Sequence, residues 1–144
     1  MDELLTLEIL TPSGPLLTVE SGEELSVPGV EVPGLLGELG VLPSHIPFVS
    51  PVRPGVVRFK VGDTSHRVAV GQGFVEISNV GRVSILVDRA ERGVDVDVAQ
   101  ATADAKAAEE ELAGLQDAID DAEHTVARER LGWHQARVRA AAGS

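Results

Sequence analysis

Arg92-Gly93-Val94-Asp95-Val96-Asp97-Val98-Ala99-Gln100-Ala101 is the stretch at which the chain changes character. All eight prolines lie before it, between Pro12 and Pro54, and only Ala69 and Ala90 precede it. Beyond it alanine recurs from Ala99 to Ala142, with no proline at all. Proline and glycine punctuate strands and turns, whereas alanine is the best helix former because it loses no side-chain entropy. The Val94–Asp95 seam therefore joins a turn-rich β body to a helical tail, and the expected division is 1–90 and 91–144.

Upstream of the seam the period is two. Leu5-Thr6-Leu7-Glu8-Ile9 alternates apolar and polar residues, the mark of a half-buried strand. Val56 to Val61 places Val57, Phe59 and Val61 on one face, and Gly62-Asp63 turns it back into His66 to Val70. Phe74 to Ile77 and Val83 to Val87 repeat the pattern across Asn79-Val80-Gly81, and Leu16 to Val19 and Glu24 to Val27 are shorter candidates. Short strands at intervals of about ten residues predict a small sandwich or flattened barrel. The prolines from Pro43 to Pro54 predict an edge or a connecting stretch, since proline donates no ladder hydrogen bond.

Downstream the spacing is helical. Asp95 and Asp97 suit a first turn, where the helix dipole favours negative charge. Val96, Ala99, Ala103 and Ala107 form one face, and Ala101, Ala105 and Ala108 lie opposite. A second helix shows Ile119, Ala122, Val126 and Trp133 on one stripe and Leu131 with Val138 on another. A bend falls best at Gly114 and Gln116-Asp117, and one long helix stays open as the alternative. Alanine faces bury little area, so such a hairpin depends on its neighbour and is a candidate moving part.

The formal net charge is −11, which disfavours nucleic acid and anionic membrane surfaces. The apolar runs fall short of the ~20 residues that a membrane span needs. There is no cysteine, hence neither a disulfide framework nor thiolate chemistry. His45, His66, His124 and His134 lack ligand spacing, so no metal site is expected; solvated or capping roles fit them better. Ser44-His45 has no Gly-x-Ser-x-Gly elbow around it, and Gly71-Gln72-Gly73 is not a phosphate loop. Arg128, Arg130, Arg137 and Arg139 cluster in an otherwise acidic tail, either complementing a helix end or forming a docking face for an acidic surface.

The string Gly37-Glu38-Leu39-Gly40 with Pro43, His45 and Pro47 is followed in order by Pro54-Gly55, Gly73-Phe74-Val75-Glu76-Ile77, Val83 to Asp88 and Arg92 to Asp97. Together these resemble the epsilon subunit of bacterial F-type ATP synthases, over essentially the whole chain. The resemblance implies an N-terminal β-sandwich of about ten strands followed by a C-terminal antiparallel two-helix hairpin. It implies a non-catalytic central-stalk subunit, peripheral to the cytoplasmic face of the inner membrane, without direct membrane insertion. Its implied partners are the gamma subunit, the c-subunit ring and, when the hairpin extends and blocks ATP hydrolysis, a beta subunit. Glu38, Leu39 and His45 become candidates for the ring and gamma contacts, Glu38 and Leu39 in a ring-facing loop. Arg128, Arg130, Arg137 and Arg139 become candidates for the inhibitory contact. Some members bind ATP through Ile/Leu-Asp-x-x-Arg-Ala; here the motif reads Val96, Asp97, Val98, Ala99, Gln100, Ala101. Gln100 supplies no cation for phosphate, so no cofactor is expected. Two other classes compete: an adaptor sandwich whose hairpin docks on a coiled coil, and a small hydrolase using His45 with Glu38 or Asp63.

Overall fold

The computed structural model describes residues 4–15, 25–43, 46–115 and 121–143. Eleven strands form one hydrogen-bonded sheet: β1 (Leu5–Thr11), β2 (Gly14–Pro15), β3 (Leu25–Val27), β4 (Val30–Gly34), β5 (Gly37–Val41), β6 (Phe48–Val52), β7 (Gly55–Val61), β8 (Thr64–Val70), β9 (Gly73–Ile77), β10 (Arg82–Val87) and β11 (Ala90–Arg92). The order is β11-β8-β7-β4-β6-β9-β10-β1-β2, with β3 added to β1 and β5 to β4. Among the described residues only the β1–β10 pair is parallel; the rest are antiparallel. The sheet folds over a single core in which Leu5, Leu7, Ile9, Val57, Phe59, Val68, Val75, Ile77, Val83 and Ile85 are buried. These are the inward members of the period-two pattern, so the alternation decided both the strands and their register.

The structure settles two places in the body that the sequence left open or placed otherwise. Gly37-Glu38-Leu39-Gly40 is not a loop but most of β5, paired residue by residue with β4 from Val30↔Val41 to Gly34↔Gly37. The turn is Leu35-Leu36, and Gly37 follows it with φ 131, a conformation that a side chain would strain. Phe48–Val52 is a strand, bonded to β9 along its length, although it contains Pro51. On its β4 side only Val52 pairs, so β6 is an open edge over most of its length and tolerates the missing N–H there. The Leu16 to Val19 candidate lies outside the described residues.

A 3-10 turn, Gly93–Asp95, leads into α1 (Val98–Ala113), and α2 (Asp121–Ala142) follows. Asp97 is the N-cap of α1 rather than a first-turn residue: its carboxylate accepts from the Gln100 N–H at 3.1 Å. Gly114 ends α1, where the bend was expected. The helices run antiparallel. Arg130 of α2 pairs with Glu111 of α1, and Arg137, seven residues further along α2, meets Asp104, seven residues earlier on α1. The buried face of α1 is Ala101 with Ala108, while Ala99, Ala103 and Ala107 are exposed. Alanines on both sides made the two faces equivalent by pattern; the partner helix chose one.

α2 lies on the outer surface of the sheet. Trp133, Ala136 and Ala140 form a cluster with Val56 of β7 and Ala69 of β8. Trp133 thus shares its stripe with Ala136 and Ala140, and not with Ala122 and Val126, both of which are exposed. Two glycines permit the close approach. A Cβ on Gly93 would overlap the Ala140 carbonyl oxygen, and one on Gly132 would stand 3.1 Å from Pro54 Cβ. The C-terminal end of α2 meets Arg67, whose guanidinium lies beside Gly143, so a cation faces the negative end of the helix dipole.

Candidate functional site

The junction between hairpin and sandwich gathers most of the chemistry. Arg137, with a side chain 12% exposed, donates from Nε to Glu91 Oε1 at 2.7 Å and from Nη1 to Asp104 Oδ2 at 3.1 Å. One guanidinium therefore ties three elements: β11 through Glu91, α1 through Asp104, and α2 from which it springs. Charge-assisted bonds of this kind are stronger than neutral ones. Burial opposes the charge of Arg137, but the hydrogen bonds to Glu91 and Asp104 outweigh it and raise its pKa. Asp104 is in turn held by Gln100, whose amide donates at 2.9 Å. That bond, then Arg137, keeps the Asp104 carboxyl below its ordinary range against partial burial.

His134 stands one turn before Arg137, with Nδ1 3.1 Å from Arg137 Nη1. Burial pushes its imidazole below the ordinary value; Asp104 pulls upward, and Arg137, Arg89 and Arg130 push it down. Arg89 also covers the Trp133 ring, 5.1 Å from its centroid, a cation–π contact across the junction. Neither tail histidine is a helix cap: His134 belongs to this cluster, and His124 buries an Nδ1 that has no hydrogen-bond partner among the described residues.

The four candidate arginines divide into pairs. Arg130 and Arg137 are ion-paired within the chain, Arg130 at the surface with Glu111 and Arg137, largely buried, with Glu91 and Asp104. Arg128 and Arg139 instead line a cleft of about 500 Å³ between α2 and the sandwich. Glu38, Arg53 and Pro54 stand on its other wall, so the fold brings the sandwich candidate Glu38 beside two tail candidates. Glu38 is exposed and pairs with Arg58 at 3.5 Å, while Leu39 packs against the core. His45 lies outside the described residues. Val96 closes the 3-10 turn, Asp97 caps α1, Gln100 bonds Asp104, and Ala101 is fully buried, so each motif position has a structural task in this fold.

Two exposed apolar features escaped the sequence reading. Leu36 at the β4–β5 turn is 100% exposed and Leu35 is 61% exposed. Their signal was a pair of leucines between Gly34 and Gly37, too large for an ordinary polar turn. On the outer face Phe74 stands opposite both Pro51 and Leu86, making an uncovered apolar strip across β6, β9 and β10. It was readable from the alternation, since Val75 and Ile77 point inward and Phe74 must point out. No helix among the described residues is long and apolar enough to cross a membrane.

The class of protein is thus a β-sandwich carrying a C-terminal α-helical hairpin against its outer face. Residues 4–93 match the family model of the ATP synthase delta/epsilon chain β-sandwich domain. The ATP synthase epsilon chain of Nitratidesulfovibrio vulgaris (strain DP4) is 38% identical over 130 residues, spanning 90% of this chain and 92% of that one. That of Anoxybacillus flavithermus is 43% identical over 110 residues, 76% of this chain and 77% of that one. The chain belongs to the ATP synthase delta/epsilon chain family. The fold is shared with a chain of the Euglena gracilis mitochondrial ATP synthase structure (OSCP/F1/c-ring, rotational state 1). That chain has a TM-score of 0.74 at 22% identity, over 98% of this chain and 82% of that one.

Proposed function

We propose that the chain is a non-catalytic rotor subunit of an F-type ATP synthase, the sandwich coupling rotation to ion flow and the hairpin restraining ATP hydrolysis. One observation carries the reading: relatives named ATP synthase epsilon chain match across both parts, sandwich and hairpin, over 90–95% of this chain. The partners follow from the surfaces. The Phe74–Leu86 strip suits an apolar face of the gamma subunit, and the Leu35-Leu36 tip, with Glu38 beside it, suits the c-subunit ring. Arg128 and Arg139 suit an acidic segment of a beta subunit when the hairpin extends. The protein works at the cytoplasmic face of the membrane, held there by its partners.

Nucleotide has no part in holding this hairpin. Gln100 brings no cation, and the Asp97 carboxylate already serves the Gln100 N–H. The folded hairpin is held instead by Arg137 and the Trp133 cluster. The test is reconstitution of an F1 complex lacking its own epsilon subunit. The full chain should bind and lower ATP hydrolysis; a chain lacking Val94–Ser144 should bind without lowering it, and in membranes carrying the whole synthase it should retain ATP synthesis. Failure to bind, or a deletion that lowers hydrolysis, would refute the assignment.

A further inference from the structure

Arginine has no acceptor, so the 3.1 Å contact between Arg137 Nη1 and His134 Nδ1 is a hydrogen bond only if Nδ1 carries a lone pair. The imidazole is then neutral, with its proton on Nε2. Adding a proton at Nδ1 removes the acceptor and sets a second positive charge against the guanidinium. Arg137 is also the group that joins hairpin to sandwich, through Glu91 on β11. The protonatable atom and the tether are thus in direct contact.

We propose that Glu91, Arg137, Asp104 and His134 form an acid-released latch, which holds the helical hairpin on the sandwich when His134 is neutral and loosens it when His134 is protonated.

The charged groups facing His134 decide the direction. From α1 there is Asp104, which favours the proton; from α2 there are Arg130 and Arg137, and from the segment before β11 there is Arg89, all opposing it. Glu91 faces Arg137 and is neutralised by it. Three cations against one carboxylate, with burial added, hold the docked imidazole below its ordinary value. Released from the sandwich, the ring leaves Arg89 and regains water, so its affinity for a proton rises. The docked form therefore binds fewer protons, and docking is complete above the ordinary histidine range and weakens as pH falls through and below it. Each pH unit between the released and docked values weakens docking about tenfold on protonation. Asp104 is itself held below the ordinary carboxyl range, so its own protonation falls in a separate, more acidic window.

The latch rests on the hairpin being the moving part, as proposed above; its release can be read without any ATPase. Trp133 is the only tryptophan and the chain has no tyrosine, so emission reports the junction directly. In the full chain, lowering pH from 8 to 5.5 should shift the emission to the red and raise acrylamide quenching several-fold, reversibly. His134→Gln keeps an acceptor that does not titrate and should hold the pH 8 spectrum throughout. Nitrogen NMR of the wild-type ring at pH 8 should show a neutral imidazole protonated on Nε2. A wild-type spectrum that does not change over this range, a His134→Gln variant that titrates with the wild-type midpoint, or a charged ring at pH 8 would each overturn the latch. An F1 complex in which wild type and His134→Gln restrain hydrolysis equally at every pH, while the emission results hold, would support the latch and remove the regulatory reading instead.

Discussion

Trp133→Ala should release the hairpin and leave the sandwich folded. Trp133 is 7% exposed and is the one large side chain of the cluster it forms with Val56, Ala69, Ala136 and Ala140 between α2 and the sheet. A buried tryptophan removes about 150–250 Å² from water, which at ~25 cal/mol per Å² is about 4–6 kcal/mol. Measured truncations of this kind cost about 3–5 kcal/mol, equivalent to roughly 100- to 4,000-fold in the docking equilibrium. The remaining apolar contacts are alanine methyls, too small to compensate. Alanine is also the better helix former, so α2 itself is not weakened by the change. Hydrogen exchange is the assay. Amides of α2 should lose protection by at least about a hundredfold, whereas those of β7, β9 and β10 should keep theirs. If α2 protection falls less than about tenfold, the junction is held by something other than this cluster. If the sandwich amides lose protection with it, hairpin and body are one cooperative unit and the reasoning fails.

A fragment ending at Arg92 keeps all eleven strands and should melt cooperatively with a β-type circular dichroism spectrum; a fragment unfolded at 25 °C would refute this. Gly93→Ala should displace α2 while every apolar contact residue is kept, because the new Cβ overlaps the Ala140 carbonyl; unchanged α2 protection would show that the backbone yields locally. Arg137→Ala should weaken docking by about 1.5–3 kcal/mol, since it strips two carboxylates of a charged donor, and exchange protection of α2 measures it. Arg128→Ala with Arg139→Ala should leave that protection unchanged yet relieve the inhibition of F1, the relief growing as salt is lowered; undiminished inhibition would assign both arginines to solubility alone.

The strands of the body were legible because each carries its own evidence of burial. Val57, Phe59 and Val61 alternate with Arg58 and Lys60, and no tertiary knowledge is needed to see which side is wet. The β4–β5 hairpin was not legible for the opposite reason. Val30-Glu31-Val32-Pro33-Gly34 is short and ends in a proline and a glycine, and pairing with β5 makes it a strand. The same holds for the arginines. Arg128, Arg130, Arg137 and Arg139 look alike in sequence, but the partners of Arg137 lie 46 and 33 positions away at Glu91 and Asp104. Only the fold separates the two engaged arginines from the two that line the cleft.

The two apolar clusters are arranged so that the proposed release of the tail would leave the body folded. The core cluster and the Trp133 cluster share no residue, yet they are built on the same strands. In β7, Val57 faces the core and Val56 faces the helix; in β8, Val68 faces the core and Ala69 the helix. The period-two geometry of a strand puts neighbours on opposite faces, so the side that receives α2 packs separately from the side that holds the sandwich together. Release of α2 exposes one valine and one alanine of the sheet, worth only about 2–4 kcal/mol of lost burial, and disturbs none of the core. The larger loss falls on Trp133, which belongs to the departing helix and would have to find a new apolar surface. A hairpin whose principal apolar side chain travels with it is suited to exchange one docking surface for another.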